Sequence, residues 1–260
     1  MKIKFLIIST LLFVNYINCQ NTKGNLYVEY NITKGLIKSK EFLFVNQDNS
    51  LYTTDFIDFN NELNSLSKKN DNYIIQEKRL KVNKMEYYSS LNKDSLFFVS
   101  IFPNGKKIIA IDKLPKIKWE ISNNQTKKIG GFICSKASGN FRGSKIVAYY
   151  AINIPIPFGP FKFKGLPGLI LEVYNEDSYG TKYTWAAKKI VFNQKLKKNI
   201  VFNKDNYHQK IVSYKSLIES FDKKMSNITK KLTSRSSRGS STKLISKGRL
   251  GIEKIYEWEL

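Results

Sequence analysis

Residues 159–173 read GPFKFKGLPGLILEV. The second half is an apolar run of the kind that enters a sheet buried on both faces, while Gly159, Pro160, Gly165, Pro167 and Gly168 deny the first half a helix or a regular ladder. Pro167 and Gly168 suit the two central positions of a type II turn, proline presetting the first and glycine supplying positive φ at the second. Gly165 permits another sharp turn or a close backbone approach. The stretch therefore predicts a rigid, irregular loop that delivers the chain into a core strand. Lys162, Phe163 and Lys164, with Gly165 and Gly168, are the expected ligand-binding residues, because cations beside exposed backbone donors suit a carboxylate or another anion.

Working outward, short alternating runs fill most of the chain. NLYVEYNI (residues 25–32) places Leu26, Val28, Tyr30 and Ile32 on one face, a strand pattern. Further strands are expected over 41–45, 51–56, 72–80 and 95–102. A Pro-Asn-Gly turn at 103–105 leads to another over 106–112. The segments KIKWEIS, GFICSKAS, SKIVAYYAINI, GLILEVYN and TKYTWAAKKIVF continue the rhythm with β-branched and aromatic residues. One segment departs from it: in 208–225, Ile211, Tyr214, Leu217, Ile218, Phe221 and Met225 recur at helical spacing, with Ser213 as a cap. The fold class expected is mainly β, an antiparallel curved sheet forming a bowl or partly open barrel, with one amphipathic helix.

Residues 1–19 combine Lys2 and Lys4 with an apolar core from about Phe5 to Ile17, too short to span a bilayer and typical of a secretory signal. The chain is thus expected to be exported, to the periplasm, the outer membrane or beyond. Acylation at Cys19 is the alternative, disfavoured by Asn18 where a small residue is preferred. The domain reading is a signal peptide over 1–19, one β-rich domain over 20–225, a basic mobile segment over 226–250 and a closing strand over 251–260. The formal charge of +23 is mostly lysine, with only five arginines. That balance suits general attraction to anions better than bidentate reading of bases. The basic segment has no aromatic residue between Ser226 and Gly248, which argues against stacking on nucleic acid.

The chemistry that the sequence excludes is informative. One histidine, His208, and one cysteine beyond the leader, Cys134, cannot supply a usual zinc shell or a thiol–imidazole pair. Cys134 lies among apolar neighbours and reads as a buried thiol. No phosphate loop, dinucleotide fingerprint or nucleophile elbow occurs, and no cofactor is implied. Paired carboxylates remain, Glu120 and Glu172 being the candidates on predicted strands.

The block from Trp119 to Val173 carries a tryptophan, an IGG-x-x-C turn and strand, the Arg142-Gly143 pair, an IPIPFGP loop and the string quoted above. On these motifs, and on the closing YEWEL, the chain resembles the GLPGLI family, exported proteins of unknown function. It departs from the pattern at KIVAYY, where a tryptophan or polar-aromatic strand is expected. A more distant likeness is to the bowl-shaped accessory domain of certain secreted amidohydrolases. The resemblance implies no catalytic residue. The functional expectation is an exported envelope protein, a non-catalytic binding or adaptor domain for a partner protein or an anionic glycan or lipid surface. The alternative is a hydrolase, or an accessory domain of one, using paired carboxylates.

Overall fold

The computed structural model describes residues 25–35, 37–57, 68–69, 72–73, 82–102, 104–176, 182–195, 199–233, 249 and 251–260. The leader and residues 234–248 of the basic segment lie outside the described residues, as does most of the strand expected over 72–80. In chain order the strands are β1 (Leu26–Lys34), β2 (Ile37–Asn46), β3 (Asn49–Ile57), the short pair β4 (Lys68–Lys69) and β5 (Asn72–Tyr73), β6 (Val82–Ser90), β7 (Ser95–Ile101), β8 (Lys107–Lys113), β9 (Glu120–Ile129), β10 (Phe132–Phe141), β11 (Ser144–Ala151), β12 (Leu169–Glu176), β13 (Lys182–Phe192) and β14 (Ile211–Ser213). Helix α1 (Tyr214–Thr233) follows.

Among the described residues, twelve strands form one sheet in the order β14-β8-β7-β6-β3-β2-β1-β13-β12-β11-β10-β9. Every pairing is antiparallel except that of β14 with β8. The sheet is curved and open, with β14 and β9 as separate edges. Three bulges, at Glu29/Tyr30, Ser135/Lys136 and Tyr149/Tyr150, increase its local twist and bend. The alternation read from the sequence sets the faces: Leu26, Val28, Tyr30 and Ile32 are all buried while Tyr27 and Glu29 are only half so. A smaller cluster forms around Leu51, Tyr88 and Ile200, with Phe97 stacked on Phe202 at 4.3 Å.

The inner face is filled by the loop between β11 and β12, residues 152–168. Ile154, Ile156, Phe158, Phe163 and Leu166 all join the main core. Phe163 meets Phe141 and Trp185 edge-on at 5.5 Å, and Phe161 stacks on Trp185 and abuts Tyr87. Tyr30 donates its hydroxyl hydrogen to the carbonyl of Ile170 at 2.7 Å, fixing the far end of the loop to β1. The loop is a plug.

Several expectations are corrected. Gly168 does not adopt positive φ, so the type II turn does not form. Its role is close approach: a Cβ there would lie 2.2 Å from the carbonyl oxygen of Ala151. Gly165 does turn left-handed, at φ +96°. The helix begins later than its apolar spacing suggests, because Ile211 is taken into β14, and it runs on through Thr233 into the segment read as mobile. Ser213 caps it, its Oγ accepting from the Ser216 amide at 3.1 Å. Residues 251–260 form no strand; they end in a 3-10 turn at Glu257–Glu259. Strand β6 was missed, since KMEYYSS lacks a regular alternation, as was the polar end of the edge strand β9.

The two glycines differ in a measurable way. Gly168→Ala is expected to cost at least about 3 kcal/mol, the upper range for overpacking against backbone that cannot give. Gly165→Ala, strained only in φ, should cost about 1–2 kcal/mol. Urea unfolding of both variants tests this order.

Candidate functional site

Of the residues expected to bind a ligand, Lys162, Phe163 and Gly168 are buried, Lys164 is half-buried and Gly165 is exposed. Lys162 is 4% exposed and Phe163 is 1% exposed. The Lys162 ammonium donates to Asp112 at 2.8 Å and to both oxygens of Glu253 at 2.8 and 3.0 Å. It lies 4.2 Å from the ring centre of Tyr214. Lys164 Nζ donates to the carbonyls of Ser90 and Lys93 at 3.1 and 3.2 Å, closing the β6–β7 turn. Burial lowers its pKa. Trp119 Nε1 donates to the Lys164 carbonyl at 3.1 Å. The reading of these side chains as a surface for an incoming anion is corrected for this reason: their hydrogen-bonding capacity is already met by the protein.

Lys162 belongs to a cluster centred on Arg142, a residue that sequence analysis left without a role. Arg142 and Gly143 are the two central residues of the β10–β11 hairpin, at φ +44° and +78°, the left-handed pair that a two-residue hairpin requires and that favours Asn-Gly. An arginine held there accepts backbone strain in order to place its side chain. The guanidinium reaches Asp112 at 2.6 and 2.8 Å, Glu257 at 3.1 and 3.3 Å, and Glu253. The rings of Tyr256 and Trp258 lie within 5.0 and 5.9 Å of its centre, and the Arg142 carbonyl accepts from the amides of Lys254 and Ile255. The C-terminal segment is thereby clasped over the hairpin.

Asp112 and Arg142 have no side-chain exposure. Burial alone pushes the Asp112 carboxyl up, but the charges and hydrogen bonds of Lys162 and Arg142 outweigh it and hold the group below the usual carboxylate range. Burial opposes the Arg142 charge, while Asp112 and Glu253 more than restore it. Burial first, then the nearby Glu253 charge, keeps the Tyr214 phenol protonated, so it donates to Glu253 at 3.0 Å.

A cleft of about 430 Å³ opens beside this cluster, between the plug, α1 and the C-terminal segment. Phe161, Tyr183, Trp185, Tyr214, Phe221 and Tyr256 supply its aromatic walls. Its charges are paired: Lys34 meets Glu41 at 3.2 Å, and Arg249 meets Asp222 at 2.5 Å and Glu259. Glu41, only 2% exposed, also accepts from Trp185 Nε1 at 3.2 Å, Thr54 Oγ1 at 3.0 Å and the Tyr52 hydroxyl. That arrangement fixes the Trp185 ring. The sequence held no signal for the cleft, since its walls come from β1, β13, the plug, α1 and the C-terminus.

Glu120 and Glu172 are not brought together. Glu120 lies opposite Ser138, and Glu172 opposite Tyr149. Three strand spacings therefore separate them, ~14 Å across the sheet, beyond the ~5–9.5 Å of a working pair. Glu172 is moreover held by Lys127 at 2.7 Å. His208 is exposed ahead of β14. No group of three or more metal-ligating side chains occurs among the described residues, and no helix among them is long and apolar enough to cross a membrane.

Residues 140–172, which run from the Arg142 hairpin through the plug into β12, match a family model described as a protein of unknown function (Porph_ging). No curated protein matches the chain. Two solved structures of PNGF-II, in the C2 and P21 space groups, are similar to it at 14% and 13% identity, with TM-scores of 0.48 and 0.49. Each alignment covers 76% of this chain and 32% or 33% of the other, so the chain spans about a third of their length.

Two measurements check this geometry. Asp112 sits below its unfolded value near ~3.9, so its stabilising share is complete above about pH 4 and is lost as the pH falls further. Asp112→Asn should cost about 3–5 kcal/mol at pH 7 by leaving two buried cations short of charge. It should also flatten the acid limb between about pH 4 and 2 in urea unfolding. Cys134 is fully buried, and burial pushes its thiol up to about 11. Iodoacetamide at about pH 8 should leave Cys134 unmodified in the folded protein and label it in urea, read by peptide mass mapping.

Proposed function

We propose that the protein is an exported, non-catalytic binding domain of the cell envelope that takes up a partner segment or anionic ligand in the aromatic cleft, and not at the Pro/Gly loop. The observation that supports this reading is the placement of aromatic rings and two cations, Lys34 and Arg249, around one opening. The cations of the loop, by contrast, are engaged inside the fold. Aromatic faces accept an apolar side chain or ring, and a cation whose partner is another side chain can exchange that partner for a ligand carboxylate. The charged start and short apolar core of residues 1–19 support export. A hydrolytic role through Glu120 and Glu172 is left without support by their separation.

Tyr183 is a half-exposed wall of the cleft and is the place for a photo-crosslinking residue in living cells. One discrete protein adduct is expected, lost on Lys34→Ala, with a melting curve showing that the variant still folds although the buried Glu41 loses its cation. An adduct that persists in Lys34→Ala and Arg249→Ala would place the interface elsewhere. With no protein adduct, titration of the purified protein with an anionic oligosaccharide decides whether the cleft serves a small ligand.

A further inference from the structure

Helix α1 carries one apolar face along its whole length but packs only the beginning of it. Tyr214, Leu217, Ile218, Phe221, Met225 and Ile228 recur at spacings of three and four, so they share a stripe. Leu217 is 2% exposed where the helix lies against β8 and β14, whereas Phe221, Met225 and Ile228 are 38%, 59% and 40% exposed. The change follows from length: at ~1.5 Å per residue, the turns after Phe221 project ~18 Å past the part that the sheet covers. The face that continues is therefore apolar and unpacked.

Past Asp222, which borders the stripe and pairs with Arg249, the sequence turns to one sign of charge. From Lys223 to Leu250 the chain has nine lysines and arginines and no aspartate or glutamate. Lys223 and Lys224 are both exposed on α1. An apolar stripe among cations is the composition of a helix that lies in a membrane interface, its apolar residues entering the headgroup layer while the cations meet anionic headgroups. A polyanionic glycan would satisfy the charges but give the stripe no apolar environment. We infer that the distal half of α1 is a docking face for an anionic lipid surface, with Met225 and Ile228 as its inserting residues. The stripe adjoins the cleft, which Ile218 and Phe221 also line, but the inserting residues Met225 and Ile228 lie outside that lining, so their role does not depend on what the cleft binds.

The test is co-sedimentation of the full chain with phosphatidylcholine vesicles, plain or with about one lipid in three replaced by phosphatidylglycerol. Each variant is compared with the unsubstituted chain, so that the apolar stretch near the N-terminus contributes equally to both. Tighter binding to the anionic vesicles than to the plain ones is expected, weakened about 5-fold for each charge removed in Lys223→Gln/Lys224→Gln. Met225→Gln/Ile228→Gln should weaken it at least about tenfold, with an unchanged melting temperature because both side chains are exposed. Full vesicle binding by Met225→Gln/Ile228→Gln would overturn the inference, as would equal binding to both kinds of vesicle. So would a soluble acidic protein whose capture depends on Met225 and Ile228 while vesicles are ignored.

Discussion

The carboxylate of Asp112 joins the two flanks of the sheet. It sits on β8, second strand from one edge, yet its partners come from the β10–β11 turn near the other edge, from the plug and, through Glu253, from the C-terminal segment. Among the described residues, β8 does not pair directly with β10 or β11. A buried ion cluster adds little net stability over an apolar packing of the same volume, but it is costly to break and accepts few geometries. That property matches the need here, since an open sheet of this size has many curvatures available and the cluster selects one. The left-handed backbone at Arg142, and at Phe161 beside Lys162 with φ +54°, is held in place by the same contacts.

The cleft depends on that closure. Glu253 and Tyr214 belong to both the cluster and the cleft wall, and Phe161 is the neighbour of Lys162 in the plug. Trp185 is locked from two sides, by its bond to Glu41 and by Phe161 stacked at 6.1 Å and 15°. The Trp185 wall is therefore fixed in one rotamer by the fold itself. An interface of this kind loses less side-chain entropy on binding than one built of free surface side chains.

Much of the sheet was legible in the sequence because alternation is a local property. LYVEYNITK can bury one face only as a strand, and the alternation of β7 and β11 reads the same way. The type II turn at Pro167-Gly168 was misjudged for the complementary reason. Glycine answers to two different demands, positive φ and the absence of a Cβ, and the residue type does not say which one operates. At Gly168 the answer lies with Ala151, whose backbone arrives across β11 and β12.

By itself the sequence determined the mainly β class, the irregular loop before β12, the helix and its cap, the burial of Cys134 and the strongly basic charge. All of these follow from neighbours a few residues apart. Only the tertiary structure decided that the cations of the loop point inward, that Arg142 organises the closure, that Glu120 and Glu172 stand apart and that a cleft exists. Charge pairing couples Asp112 to residues 30 and 50 positions away, and Coulomb attraction has no sequence period by which such partners could be recognised.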